Sequence, residues 1–152
     1  MTRVCFLGSA GTKVRPELLS YETARSALSP YELFEPFENS LAVETISLGA
    51  AVSLLNDLDW YLARVAEESL VLEPSISREE WLSRDLAHDV RDGIVDPEST
   101  GSFLKIYGLE DDSLVEPMYA KRREGSVPDY DLRDVEDTVV VRVTESEFGE
   151  PG

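Results

Sequence analysis

Apolar residues recur along this chain with two different spacings, and the alternation between them lays out a series of strands and helices. The first run, Arg3 to Leu7 (RVCFL), is apolar on both alternating faces and is closed by Gly8, which predicts a strand inside a sheet rather than at its edge. After a GSAGTK turn, Pro16 stands at a position that can spare its N–H. Leu18, Leu19, Ala24, Ala27 and Leu28 then give a helical stripe from Pro16 to Leu28, stopped by Pro30. Tyr31 to Asn39 reads as a connecting loop whose Tyr31, Phe34 and Phe37 could cover an edge of the core. Leu41 to Ile46 (LAVETI) is a second strand, and Ser47 is a natural N-cap for the longest helix, Leu48 to Glu67. Its stripe of Leu48, Val52, Leu55, Leu58, Leu62 and Val65 repeats at three- and four-residue steps. A third strand, Leu70 to Leu72, follows almost at once, so strands two and three have the spacing of a βαβ unit, parallel with a right-handed crossover.

The second half is more broken. Ser77 and Glu80 have capping-box spacing, and Trp81, Leu82, Leu86 and Val90 supply the buried side of a helix ending at Gly93. Ser102 to Tyr107 and Leu114 to Lys121 flank GLEDDS and predict a hairpin. Residues 124–137 turn acidic and low in apolar content, as in a linker or loop. The β-branched run Thr138 to Thr144 is an added strand expected at the sheet edge, and residues 145–152 are expected to be a flexible tail. The expected fold is therefore a single α/β (α+β) domain with its core in residues 1–123. It has a mixed five- or six-stranded sheet with three helices, parallel early and antiparallel late.

Charge adds an environment. The chain of 152 residues carries 31 acidic and 14 basic residues, a formal net charge of -17. Lys13, Lys105 and Lys121 are its only lysines. Such a charge makes a compact state repel itself in dilute buffer, whereas at 1 M salt the Debye length falls to about 3 Å and the repulsion is screened. The acids interleave with apolar runs instead of forming a block, and short Asp and Glu side chains hold water better than long-stemmed lysine does. These features point to the cytoplasm of a salt-loving organism. No stretch approaches the roughly 18 apolar residues of a membrane span, and Met1 to Leu7 is too short for a signal peptide. The lone cysteine, Cys5, excludes an internal disulfide and fits a buried small hydrophobe.

Candidate chemistry is sparse. The turn from Gly8 to Arg15 is the best local candidate: backbone N–H groups of a glycine-containing loop beside Lys13 and Arg15 are suited to a phosphate. It lacks the spacing of a Walker loop and of the dinucleotide fingerprint. His88 is the only histidine, which excludes sites built on several imidazoles; Asp85 and Trp81 precede it at spacings that would share a helix face. Acid pairs (Asp57 and Asp59, Glu67 and Glu68, Glu79 and Glu80, Asp111 and Asp112) are expected from composition alone and read as solvated surface. Trp60, Tyr61 and Trp81 read as core or edge-covering residues. The one basic cluster, Lys121-Arg122-Arg123, sits in a strongly negative field, so direct nucleic-acid binding is not expected. No catalytic residue, cofactor or metal-ligand set is assigned.

Three stretches, ELLSYETARSAL (Glu17 to Leu28), ENSLAVETISLGAAVSLLNDLDWYLAR (Glu38 to Arg64) and EEWLSRDLA (Glu79 to Ala87), resemble a family of small haloarchaeal proteins known only as a domain of unknown function. The resemblance spans most of the chain and implies a haloarchaeal cytoplasmic setting, but no site residues. Two functional classes follow. One is a non-enzymatic interaction or regulatory protein whose aromatic loop, Tyr31 to Phe37, or final strand meets a protein partner. The other is an enzyme or sensor for a small phosphorylated ligand at Gly8 to Arg15.

Overall fold

The structure is a computed structural model and describes residues 1–128 and 135–149. In chain order its elements are β1 (Thr2–Gly8), α1 (Val14–Ser20), α2 (Glu22–Leu28), β2 (Ser40–Thr45), α3 (Leu48–Val65) and β3 (Ala66–Leu72). β4 (Trp81–Ser83), α4 (Arg84–Arg91), a 3₁₀ turn at Pro97–Ser99, β5 (Phe103–Glu110), β6 (Ser113–Lys121), β7 (Asp137–Arg142) and α5 (Glu145–Gly149) complete them. Among the described residues, all seven strands form one mixed sheet in the order β2-β1-β3-β4-β7-β5-β6.

β1 lies inside the sheet, as its two apolar faces require. Val4 and Phe6 face the helices while Cys5 and Leu7 face the other side, and all four are buried. Because β1 is antiparallel to both β2 and β3, those two strands run in the same direction but are separated by β1 rather than adjacent. The expected order, parallel early and antiparallel late, is corrected accordingly. The one parallel pairing among the described residues joins β4 to β7, and the early pairings are antiparallel. β1, apolar on both faces, takes an interior place between β2 and β3, where both faces can be covered.

Other expectations change for local reasons. The helix expected over Pro16 to Leu28 breaks at Tyr21, which is extended (φ -85°, ψ 122°) and ends α1 while opening α2. There the Ser20 hydroxyl donates to the Glu17 carbonyl at 2.6 Å, competing with the helical ladder, and the Tyr21 ring packs on α3. Ser77 Oγ accepts from the amides of Glu79 and Glu80, as in a cap, but the turn opens into β4 instead of a helix. The Glu80 carboxylate is drawn to two arginines and does not fold back on the turn. α4 starts only at Arg84, capped by Ser83, and ends in a Schellman turn with Gly93 at φ +74°.

β7 is not an edge strand. It sits between β4 and β5, where Val139 and Val141 are buried, so the sheet is not complete at residue 123. A β-branched run of this kind at an edge would invite pairing with another chain. Residues 145–149 of the expected tail form α5, in which Thr144 and Glu147 cap one another reciprocally. The expected linker at 124–137 lies partly on residues 129–134, and the end of the expected tail on 150–152, outside the described residues.

The sheet also curls. β2 and β6 are its two edges, roughly 29 Å apart if it were flat. Yet Glu38, just before β2, donates its amide to the Asp112 carbonyl at the β5–β6 turn at 2.8 Å. Bulges at Leu7/Gly8 and between Ile106 and Gly108 add the required twist. One face carries α1 to α4 over the larger core; the concave face holds Cys5, Leu70, Trp81, Tyr107, Val139 and Val141 under Phe34, Phe37 and Phe148.

Candidate functional site

The Gly8 to Arg15 turn is already occupied by the protein itself. Asn39, in the left-handed region (φ 53°), accepts from the Val14 amide through Oδ1 at 2.9 Å and donates Nδ2 to the Thr12 carbonyl at 2.7 Å. Its backbone carbonyl takes the Gly8 amide at 2.8 Å, the Ser9 amide goes to Val65, and the Thr12 amide goes to Ser9. A side chain at Gly8 would collide with the Asn39 amide group, so glycine here serves close packing. Lys13 and Arg15 do line a cleft of about 470 Å³ with Glu35, Glu38 and Asn39, and Arg15 lies 3.8 Å from the Glu35 carboxylate.

His88 does not join Asp85 or Trp81. It lies on α4 with Nε2 3.1 Å from Asn56 Oδ1 on α3 and Nδ1 3.5 Å from Asp92 Oδ2, while Trp81 belongs to β4. The imidazole tethers two helices at the surface. Cys5 is fully buried, and burial pushes its thiol up to about 12, leaving almost no thiolate.

Two of the acid pairs split into one exposed and one half-buried member. Glu68, on the concave face, accepts from Lys105 Nζ at 3.0 Å and from the Tyr107 hydroxyl. Burial, and then the charge of Glu68, push the Tyr107 phenol up, so it remains a proton donor. Glu80 accepts from Arg122 and from Arg142 Nε at 2.7 Å. Burial alone would raise its carboxyl, but the two guanidiniums outweigh burial and hold it below its ordinary value. Arg142 packs against Gly101, whose φ of +97° disfavours any other residue and where a Cβ would come within 3.2 Å of the guanidinium. Lys105 balances Glu68 one to one, whereas Arg122 and Arg142 share the single carboxylate of Glu80. Both clusters tie distant strands together, and among the described residues no three His, Cys, Asp or Glu side chains group in a way that could hold a metal ion.

The aromatic loop is also used within the fold. Phe34 and Ala42 exchange backbone hydrogen bonds along the outer edge of β2, at 2.7 and 3.1 Å, and Phe37 packs 6.2 Å from Trp81. This is the edge-covering role, and it leaves Tyr31, Phe34 and Phe37 half-buried.

Trp60, by contrast, faces outward. It is 53% exposed on α3, edge-on to Tyr21 at 5.8 Å and to Tyr61 at 5.1 Å. The Arg64 guanidinium stacks 3.4 Å from the Trp60 ring, and its Nη1 donates to the Trp60 carbonyl at 2.6 Å. The sequence reads Trp60 and Tyr61 as core or edge-covering residues, and Trp60 is not in the core. The signal against it was present: Trp60 lies off the stripe defined by Leu55, Leu58 and Leu62, all buried. The result is a pre-ordered aromatic patch with a fixed cation at the junction of α1, α2 and α3.

No curated protein and no solved structure matches the chain. A family model does match residues 2–109, a span that includes Trp60, Glu68, Glu80, Lys105 and Tyr107 but not Arg122 or Arg142. By that match over most of its length, the chain belongs to DUF5804, a family of unknown function.

Proposed function

We propose that this chain is a non-enzymatic interaction or regulatory protein of a haloarchaeal cytoplasm, and that it recognises a protein partner through Tyr21, Trp60, Tyr61 and Arg64. The observation that carries the reading is the half-exposed Trp60, held on its sides by two tyrosines and an arginine. Trp, Tyr and Arg are the residue types that dominate binding energy at interfaces. Side chains already ordered lose less entropy when a partner arrives. The patch also offers apolar area, which keeps its value in concentrated salt, where charge recognition is screened.

A tagged copy, purified from a high-salt lysate beside a Trp60→Ala/Arg64→Ala variant, tests this. The reading expects a stoichiometric protein retained by the parent and lost with the variant, at unchanged circular dichroism. Equal recovery by both would remove the patch from the account.

A small phosphorylated ligand at Gly8 to Arg15 is the second reading, supported by Lys13 and Arg15 on the 470 Å³ cleft. It ranks lower because Asn39, Ser9 and Val65 already take the amides of Gly8, Ser9, Thr12 and Val14. A sugar phosphate that raises the melting temperature of the parent but not of Lys13→Gln/Arg15→Gln would restore it.

A further inference from the structure

The basic run Lys121-Arg122-Arg123 is divided by the alternation of the strand. Arg122 turns to Glu80 and to the Gly101 carbonyl, whereas Lys121 and Arg123 point the other way and are exposed. Among the described residues neither has a carboxylate within ion-pair distance, although their neighbours Lys105, Arg122 and Arg142 are all paired. Lys121 sits instead over rings, with Nζ 5.8 Å from the centroid of Phe103 and 5.6 Å from that of Phe148.

These residues form a pattern across two strands. Phe103 faces Lys121 and Lys105 faces Tyr119 in the β5–β6 register, so aromatic and lysine side chains alternate on one face. Phe148 from α5 closes one end, 5.2 Å from Phe103 and edge-on to Tyr119 at 6.4 Å. Tyr119, Lys121, Arg123, Pro128 and Phe148 line a groove of about 710 Å³, within the range of about 300 to 1,000 Å³ typical of small-molecule sites.

We propose that this groove binds a free nucleotide, the base stacked on the Tyr119 ring with Phe148 standing edge-on beside it and the phosphate held by Lys121 and Arg123. A ring-bearing anion satisfies both halves of the groove, since aromatic side chains accept any base face and unpaired cations accept a phosphate. A single nucleotide is favoured over a strand. Two cations match one phosphate group, whereas a polyanion would have to lie along a molecule of net charge -17. The site shares no residue with the Gly8 to Arg15 turn or with the Trp60 patch, and depends on neither.

Calorimetric titration in about 2 M KCl, where distant charges are screened but contact hydrogen bonds persist, tests the proposal with four probes: AMP, adenosine, inorganic phosphate and an eight-nucleotide RNA. AMP is expected to bind one to one, with adenosine and phosphate each at least about tenfold weaker. Lys121→Gln/Arg123→Gln, both at exposed positions and so compatible with folding, should lose about tenfold in AMP affinity at an unchanged melting temperature. No binding of AMP, equal binding by the double variant, phosphate as tight as AMP, or RNA tighter than AMP would each overturn it.

Discussion

Glu80 accepts from two guanidiniums in a half-enclosed pocket while its neighbour Glu79 is exposed to solvent, and the difference has consequences for stability. Its folded carboxyl titrates below the unfolded one, so its contribution is fully present above the ordinary carboxylate value of about 4.3. That contribution is lost as pH falls through the lower folded value. Glu80→Gln leaves Arg122 and Arg142 facing each other and should cost about 3 kcal/mol at neutral pH. Denaturant titrations of parent and variant should converge as the pH is lowered. Cys5 gives a second expectation: with its thiol at about 12, a maleimide should react about a thousandfold more slowly with the folded chain than with the unfolded one. The buried state of Cys5 was legible from the apolar run around it. The division of Glu79 from Glu80 was not, because the arginines responsible lie 42 and 62 residues away.

At the level of elements, what is local was readable. The stripe of α3 predicts its buried face, and Leu55, Leu58 and Leu62 lie there; Leu58→Ala should cost about 2 to 5 kcal/mol in chemical denaturation. Ser47 caps α3 through the Ala50 amide, as its position implied. Ser83 does two things that no spacing revealed. It accepts from the Leu86 amide to cap α4 and donates to Glu147 of α5 at 2.6 Å. Ser83→Ala should therefore cost about 1 to 2 kcal/mol and speed amide exchange in both α4 and residues 145–149. A variant that loosened α4 alone would show that α5 is held by other contacts. The order of strands was illegible for a physical reason: β1 enters between β2 and β3, and β7 between β4 and β5, by pairings between distant segments that no single window contains.

On the scale of the molecule, a charge of -17 is spread over one curled sheet and its helices. The internal cations are spent on Glu68 and Glu80, and the outward aromatic groups gather at Trp60 and at the Tyr119–Phe148 groove. If the acids are there to hold water and cations in concentrated salt, the fold should depend on that salt; if they are a binding surface for a basic partner, it should not. Far-ultraviolet circular dichroism of the same sample at about 50 mM and about 2 M KCl separates the two. A full α+β spectrum is expected at high salt, with loss of structure on dilution. An equally folded chain at both concentrations would contradict this expectation.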